Sequence, residues 1–401
     1  MKLYPTKTVD EILTTLSYII DIENSRNLYH HWRVAILTQK ILVSDKSTTF
    51  YAALLHDLGS IGLPHHIIHY LIKPNPKNIN LLLSHPIIGS QLISLIPSME
   101  KSAQIVLNHH ETFDGKGYPT AKKAKDIPEG SQIIRLADFI DIWINKKKNI
   151  TLAEIVKKIK GSENKEFSHS LGEKAIGELR KKNFFYSIVN NKNIPNLFKE
   201  SKSKIYPFKI KRGIDAIGLT LEVVAQSIDM RQPFSAGHSL RVSCYAMAIA
   251  LAMKLEHDEV TKIKWAGLIH DIGKLTIPKN ILNKPTTLTK KEFQRVTQHV
   301  LMTEKILRMA PSLEELIPIA FYHHEHFNGK GYPYGLKKEN IPLGARILCI
   351  CDAFDAMTSN RPYRPPLSPW IACEKIKALS GKQFDPEIVK YAIPILKSLG
   401  V

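Results

Sequence analysis

His270-Asp-Ile-Gly-Lys274 and His323-His-Glu-His-Phe-Asn-Gly-Lys-Gly-Tyr-Pro333 combine the residue types that hold metal ions with those that handle phosphate. The first stretch sets an imidazole beside a carboxylate, with a lysine four residues after the histidine. The second sets two adjacent imidazoles ahead of a glycine-rich loop. Histidine and aspartate are usual ligands of borderline divalent cations. A carboxylate has two oxygens and can bridge two cations, the arrangement used in phosphoester cleavage. A lysine offers an anionic substrate a compact positive charge. A lone histidine is more often a core or solvated residue, but a whole pattern of such donors is hard to explain in that way.

His-Asp followed by Gly-Lys, then His-His, then Gly-Tyr-Pro resembles the HD-GYP phosphodiesterases, a branch of the HD superfamily, over roughly residues 215 to 401. The resemblance implies a helical bundle that holds two or three divalent metals and hydrolyses bacterial cyclic dinucleotides. It implies His238, His270, Asp271, His299, His323, His324 and Asp352 as metal ligands, with Asp271 as the bridging carboxylate. Some members hold a third ion partly through a Glu four residues before the His of His-x-x-Arg-Val. Phe234 stands at that position, so two ions are expected. Imidazole donors suit iron, manganese, nickel or zinc better than magnesium, and the sequence does not choose among them. Asp271 and Lys274 are the expected catalytic residues, Lys274 neutralising charge on phosphoryl oxygens. In Gly331-Tyr332-Pro333 the glycine permits close backbone approach. Tyr332 is read either as lining a base or ribose pocket or as a structural tyrosine in a rigid turn. Asn360-Arg-Pro-Tyr-Arg364 resembles the family's phosphate-gripping segment, which makes Arg361 and Arg364 the candidate anchors.

Much of this pattern occurs twice. His56 and His270 are separated by the same interval as His85 and His299, His109 and His323, and Asp138 and Asp352. Gly117-Tyr-Pro119 repeats as Gly331-Tyr-Pro333 at that interval too. A constant offset means two copies of one unit with little inserted between the matched positions. His30 and His238 are six residues closer, so a loop ahead of the first metal motif differs in length. The copies are expected at 1–200 and 201–401. The first keeps His30, His56, Asp57, His85, His109, His110 and Asp138 as a candidate second metal site. It has Ser60 where the lysine belongs and Ile144-Asn-Lys-Lys-Lys-Asn where the Arg-Pro-Tyr-Arg segment belongs. A metal-holding but degenerate, regulatory copy is therefore expected ahead of a catalytic one.

The elements that must carry these residues read as helices. Val9 to Asp21 and Ile214 to Ile228 show apolar residues at helical spacing. Asp385-Pro386 has the chemistry of a helix start. Few segments alternate with strand period, so an all-α fold of two tandem HD-type bundles is expected. The chain has 401 residues, 44% of them hydrophobic, enough for sizeable cores. No apolar run approaches bilayer length, and the opening residues lack the apolar stretch of a signal peptide. The four cysteines form no C-x-x-C pair, and a reduced, cytoplasmic protein without a membrane partner is expected. The net charge is +19, and residues 139 to 212 hold 18 Lys and Arg against 7 Asp and Glu. Few aromatics interleave these clusters, so a solvated helical surface is preferred over a nucleic-acid site.

The resulting expectation is a metal-dependent phosphodiesterase. Its substrate would be 3′3′-cyclic GMP-AMP, cyclic di-GMP or both, cut to a linear 5′-phosphorylated dinucleotide. The tandem layout without a sensory domain resembles the HD-GYP pairs that degrade 3′3′-cyclic GMP-AMP. Contact between the copies is expected, and a homodimer is left open. Two alternatives stand beside it. A non-hydrolysing cyclic-dinucleotide receptor is disfavoured by the intact ligand set and Lys274. A general HD phosphohydrolase acting on mononucleotides is disfavoured by the Gly-Tyr-Pro loop in both copies.

Overall fold

Val9, Ile12, Leu13, Leu16, Ile19 and Ile20 recur at helical spacing, and all are buried along one side of the helix Pro5–Glu23. The same logic runs through the computed structural model, which describes residues 3–23, 28–42, 45–61, 63, 76–147, 149–206, 209–232, 236–360 and 365–398. Among them are helices, three isolated bridges and no sheet, so the fold is all-α. No described helix is long and apolar enough to cross a membrane.

The chain divides into two compact units, Pro5–Ala216 and Ile217–Val401 with Met1–Tyr4. In the first, the helix His30–Ile41 packs against Lys46–Leu55 and Glu129–Lys146. In the second, His238–Ala252 packs against His257–Ile269 and Leu343–Thr358. The paired helices correspond in the two copies, and each set carries donors of one candidate metal site.

Local chemistry fixes several helix ends. Thr289 and Glu292 form a capping box on Lys290–Thr297, and Thr151 with Glu154 does the same on Leu152–Ser162. The Asp385 carboxylate accepts from the Glu387 N–H at 2.9 Å, opening the helix Pro386–Ser398 where the Asp-Pro pair predicts it. Much of the basic segment lies on the helices Leu152–Ser162, His169–Leu179 and Ile194–Ser203 and the turns between them. Lys158 sits over the Trp143 ring at 4.0 Å, and Lys181 pairs with Glu178 at 2.6 Å.

The division falls later than the sequence expectation of 200 to 201. Residues Ile194–Ser203 form a helix of the first unit, with Ile194, Phe198 and Ser201 buried at i, i+4 and i+7. Phe198 stacks on Trp32 with ring centroids 4.2 Å apart. Prolines and asparagines at the start of this segment read as a linker, whereas Pro195 occupies the first turn, where a missing N–H costs nothing.

Candidate metal centre

His270 follows the last turn of His257–Ile269, and its Nδ1–H donates to the Gly267 carbonyl at 2.8 Å. A carbonyl can only accept, so in the neutral ring the proton is on Nδ1 and Nε2 is the nitrogen left to bind a metal. His299 repeats the device with Val296 at 2.7 Å, and His323 with Ala320 at 2.7 Å. All three Nε2 atoms are buried without a hydrogen-bond partner, as is Asp271 Oδ1. Burial lowers the His299 imidazole to about 4 and that of His323 to about 3, so both are neutral, the form that binds a metal.

These atoms form two groups. Asp271, His299, His323 and His324 place their donor atoms within 4.8 Å of one another, and so do His238, His270 and Asp352. Asp271 reaches toward both. Its Oδ1 lies 3.3 Å from His299 Nε2, while its Oδ2 lies 3.3 Å from His270 Nε2 and 3.6 Å from His238 Nε2. Burial would raise the Asp271 carboxyl, but Lys274 and His270 hold it well below the usual carboxylate range. Burial would lower His238, yet the Asp271, Asp355 and Asp352 carboxylates outweigh it and raise the imidazole to about 9. The spot therefore calls for positive charge. Buried imidazoles around ionised carboxylates fit divalent cations in both groups, a cation taking the place of the proton on His238.

The backbone brings these pieces together through two close approaches. A Cβ on Gly273 would lie 2.0 Å from the His299 carbonyl oxygen, so only glycine lets the Asp271 turn seat against the helix His299–Leu307. A Cβ on Gly331 would lie 2.3 Å from the His326 nitrogen and 2.4 Å from the His324 oxygen. The Gly-Tyr-Pro loop thus packs on the backbone of the ligand pair itself. The Tyr332 ring lies 4.8 Å from that of His324, and its N–H donates to the His324 carbonyl at 3.1 Å. Lys274 reaches Asp271 Oδ2 with its ammonium. Arg361, Arg364 and Phe234 lie outside the described residues.

Two supporting acids were not singled out in the sequence. Asp355, one helical turn after Asp352, accepts from His238 Nδ1 at 2.7 Å and from Arg241 Nε at 2.6 Å. Buried Glu325 accepts from the Tyr334, Gly335 and Leu336 N–H groups, at 2.7, 3.0 and 3.1 Å, and anchors the loop after Pro333. Their counterparts Asp141 and Glu111 keep the repeat offset, the signal that could have found them. Asp141 accepts from His30 Nδ1 at 2.6 Å, and Glu111 from Thr120 N at 2.8 Å.

The first copy gathers the same donors. His56, His85 and His109 donate from Nδ1 to the carbonyls of Ala53, Leu82 and Val106, at 2.8, 2.6 and 2.6 Å. Asp57, His85, His109 and His110 form one group of donors, and His30, His31, His56 and Asp57 the other. Asp138 stands 3.7 Å from His30 Nε2. Tyr118 of this copy's Gly-Tyr-Pro stacks on His110 at 4.8 Å. Ser60 occupies the place of Lys274. Arg135 occupies that of Cys349, with its guanidinium 3.9 Å from Asp138 and 3.5 Å from His110 Nδ1.

Two helical units, each centred on a His-Asp donor set with a shared aspartate, define a class of metal-binding HD proteins. The HD domain family model matches residues 18–164 and 222–388, and the chain belongs to that family. It is 38% identical over 181 residues to a cyclic di-GMP phosphodiesterase of Thermotoga maritima, covering 45% of this chain and 49% of that protein. It is 31% identical over 278 residues to the 3′3′-cGAMP-specific phosphodiesterase 3 of Vibrio cholerae, covering 69% of this chain and 59% of the relative. The chain spans about half the length of the curated relatives it matches. A crystal structure of a cyclic GMP-AMP specific phosphodiesterase of Vibrio cholerae shares the fold, with a TM-score of 0.63, 21% identity and 97% of each chain covered.

Proposed function

We propose that this chain is a metal-dependent phosphodiesterase that opens a bacterial cyclic dinucleotide, with residues 217–401 as the catalytic copy. The observation that carries the reading is Asp271, one buried carboxylate whose two oxygens face two separate groups of imidazole donors. Two divalent ions, of iron, manganese, nickel or zinc, would be held by His238, His270 and Asp352 on one side and by His299, His323 and His324 on the other. Cations so placed activate water at neutral pH and stabilise charge on a phosphoryl group. Asp271 joins the two positions. His324 and Asp352 are the half-exposed donors, with 23% and 18% of their side chains open to solvent, and they mark the side from which a phosphodiester approaches. Lys274, held on Asp271, supplies positive charge there, and Arg361 and Arg364 grip the nucleotide phosphates. The product is a linear dinucleotide with a 5′-phosphate.

The substrate is 3′3′-cyclic GMP-AMP or cyclic di-GMP, the two compounds after which the relatives are named. The first copy lacks the lysine and supports the second without hydrolysing substrate itself. The test is to incubate the manganese- or iron-loaded full chain with 3′3′-cyclic GMP-AMP, cyclic di-GMP and nucleoside monophosphates, and to separate the products by chromatography. A linear 5′-phosphorylated dinucleotide supports the proposal. Binding without product makes the protein a receptor, and release of phosphate from mononucleotides alone makes it a general phosphohydrolase.

A further inference from the structure

Besides Ser60 and Arg135, a third difference between the copies faces the metal site. Asp229 in the second copy accepts from the Ser239 N–H at 3.2 Å and from its hydroxyl at 2.8 Å. In the first copy Asp21 accepts from the His31 N–H at 3.2 Å and from its Nδ1 at 2.6 Å. His31 therefore replaces Ser239 on the same aspartate, one residue after the first donor histidine of each copy. A hydroxyl stops at that aspartate, whereas an imidazole has a second nitrogen to present. His31 Nε2 is buried and has no hydrogen-bond partner, in a residue only 2% exposed. It lies within 4.8 Å of donor atoms of His30, His56 and Asp57. The corresponding group of the second copy, His238, His270 and Asp352, shares Asp271 as its further carboxylate and has no third imidazole.

We infer that His31 is an additional metal ligand which turns this position of the first copy into a closed, four-donor structural centre. Structural sites of tetrahedral metals are filled by four protein donors, and three imidazoles with Asp57 supply them here without Asp138. His30 and His31 are each held by a carboxylate on the opposite ring nitrogen, Asp141 and Asp21, the outer partners that fix a ligating imidazole. The surroundings agree with closure. The Asp138 side chain is 5% exposed against 18% for Asp352, and the Arg135 guanidinium lies beside it. The inference deepens the reading that the first copy keeps a metal, and it stands whether or not the second copy hydrolyses a dinucleotide.

The test uses the full chain with His270→Ala, His323→Ala, His85→Ala and His110→Ala, which strip donors from both groups of the second copy and from the other group of the first. Turnover is not read, so failure here is separable from failure of the phosphodiesterase proposal. Cobalt(II) is added, and its visible absorption is recorded before and after inorganic phosphate. The expected result is tight binding with the spectrum of a four-coordinate ion, unmoved by phosphate. Absence of binding, or a spectrum that phosphate shifts, overturns the inference. His31→Ser then installs the side chain that the second copy carries on its equivalent aspartate. Loss of a direct ligand should speed cobalt release to EDTA by more than the ~10-fold lower bound for loss of an outer partner. Release at the parent rate also overturns it. Should circular dichroism show H31S unfolded, the phosphate arm decides alone.

Discussion

Asp271 works because its neighbours leave it no other state. Burial raises its carboxyl, Lys274 and His270 overcome that, and the ionised group is left facing bare nitrogens on two sides. Two neighbours of the site should then fail differently. Asp355 holds His238 from outside, and burial would raise its carboxyl were it not kept at about 2 by His238 and Arg241. Asp355→Asn keeps the shape but weakens the hold on the ring, and metal affinity should fall ~10–100-fold, measured by competition with a chelator. Lys274→Ala should leave metal content unchanged and lower turnover ~100-fold, the scale of one lost transition-state donor. Equal loss of metal in both variants would make Lys274 part of the metal support. The donors themselves were legible because histidine and aspartate recur at one offset. Asp355 and His31 were not. A second carboxylate one turn along a helix looks like a solvated charge, and a histidine next to a donor looks like its spare. Only the direction of the side chain separates them.

Among the elements, the Gly-Tyr-Pro loop shows how a motif can be read correctly and explained incompletely. Its glycine does allow close backbone approach, but to the His324–His326 backbone as well as to anything bound. Tyr332 backs the His324 ring. Gly331→Ala would drive a methyl into backbone atoms, at an overpacking cost of about 1–3 kcal/mol. The loop would be displaced and His324 with it. Lower thermal stability together with weaker metal binding is the expected outcome, and a variant that keeps both would show that the loop does not set the ligand pair. The helix Ile194–Ser203 is the element the sequence concealed. Its apolar contribution is two buried side chains in a polar stretch, too few for periodicity to register. Phe198→Ala should destabilise the first unit by roughly 3–5 kcal/mol in urea unfolding, since it removes a buried ring stacked on Trp32. A change below 1 kcal/mol would detach that helix from the first unit's core.

At the scale of the whole molecule, the chain is one helical metal-binding design written twice, with different chemistry at three positions of the metal sites. Ser60 removes a positive charge, Arg135 brings another beside Asp138, and His31 adds a donor. The repeat was legible as arithmetic on histidine and aspartate positions, and the all-α fold as apolar spacing. The unequal fates of the two sites were only half legible, because a missing lysine is visible in sequence and a new ligand direction is not. The central claim is that the second unit is a hydrolytic centre bridged by Asp271. The most direct measurement compares the parent chain with Asp271→Ala, each shown by circular dichroism to be folded, for bound metal and for linear dinucleotide formed from 3′3′-cyclic GMP-AMP and cyclic di-GMP. The account predicts about two fewer ions in the variant and no detectable linear product. A folded Asp271→Ala chain that turns over substrate at the parent rate would contradict it.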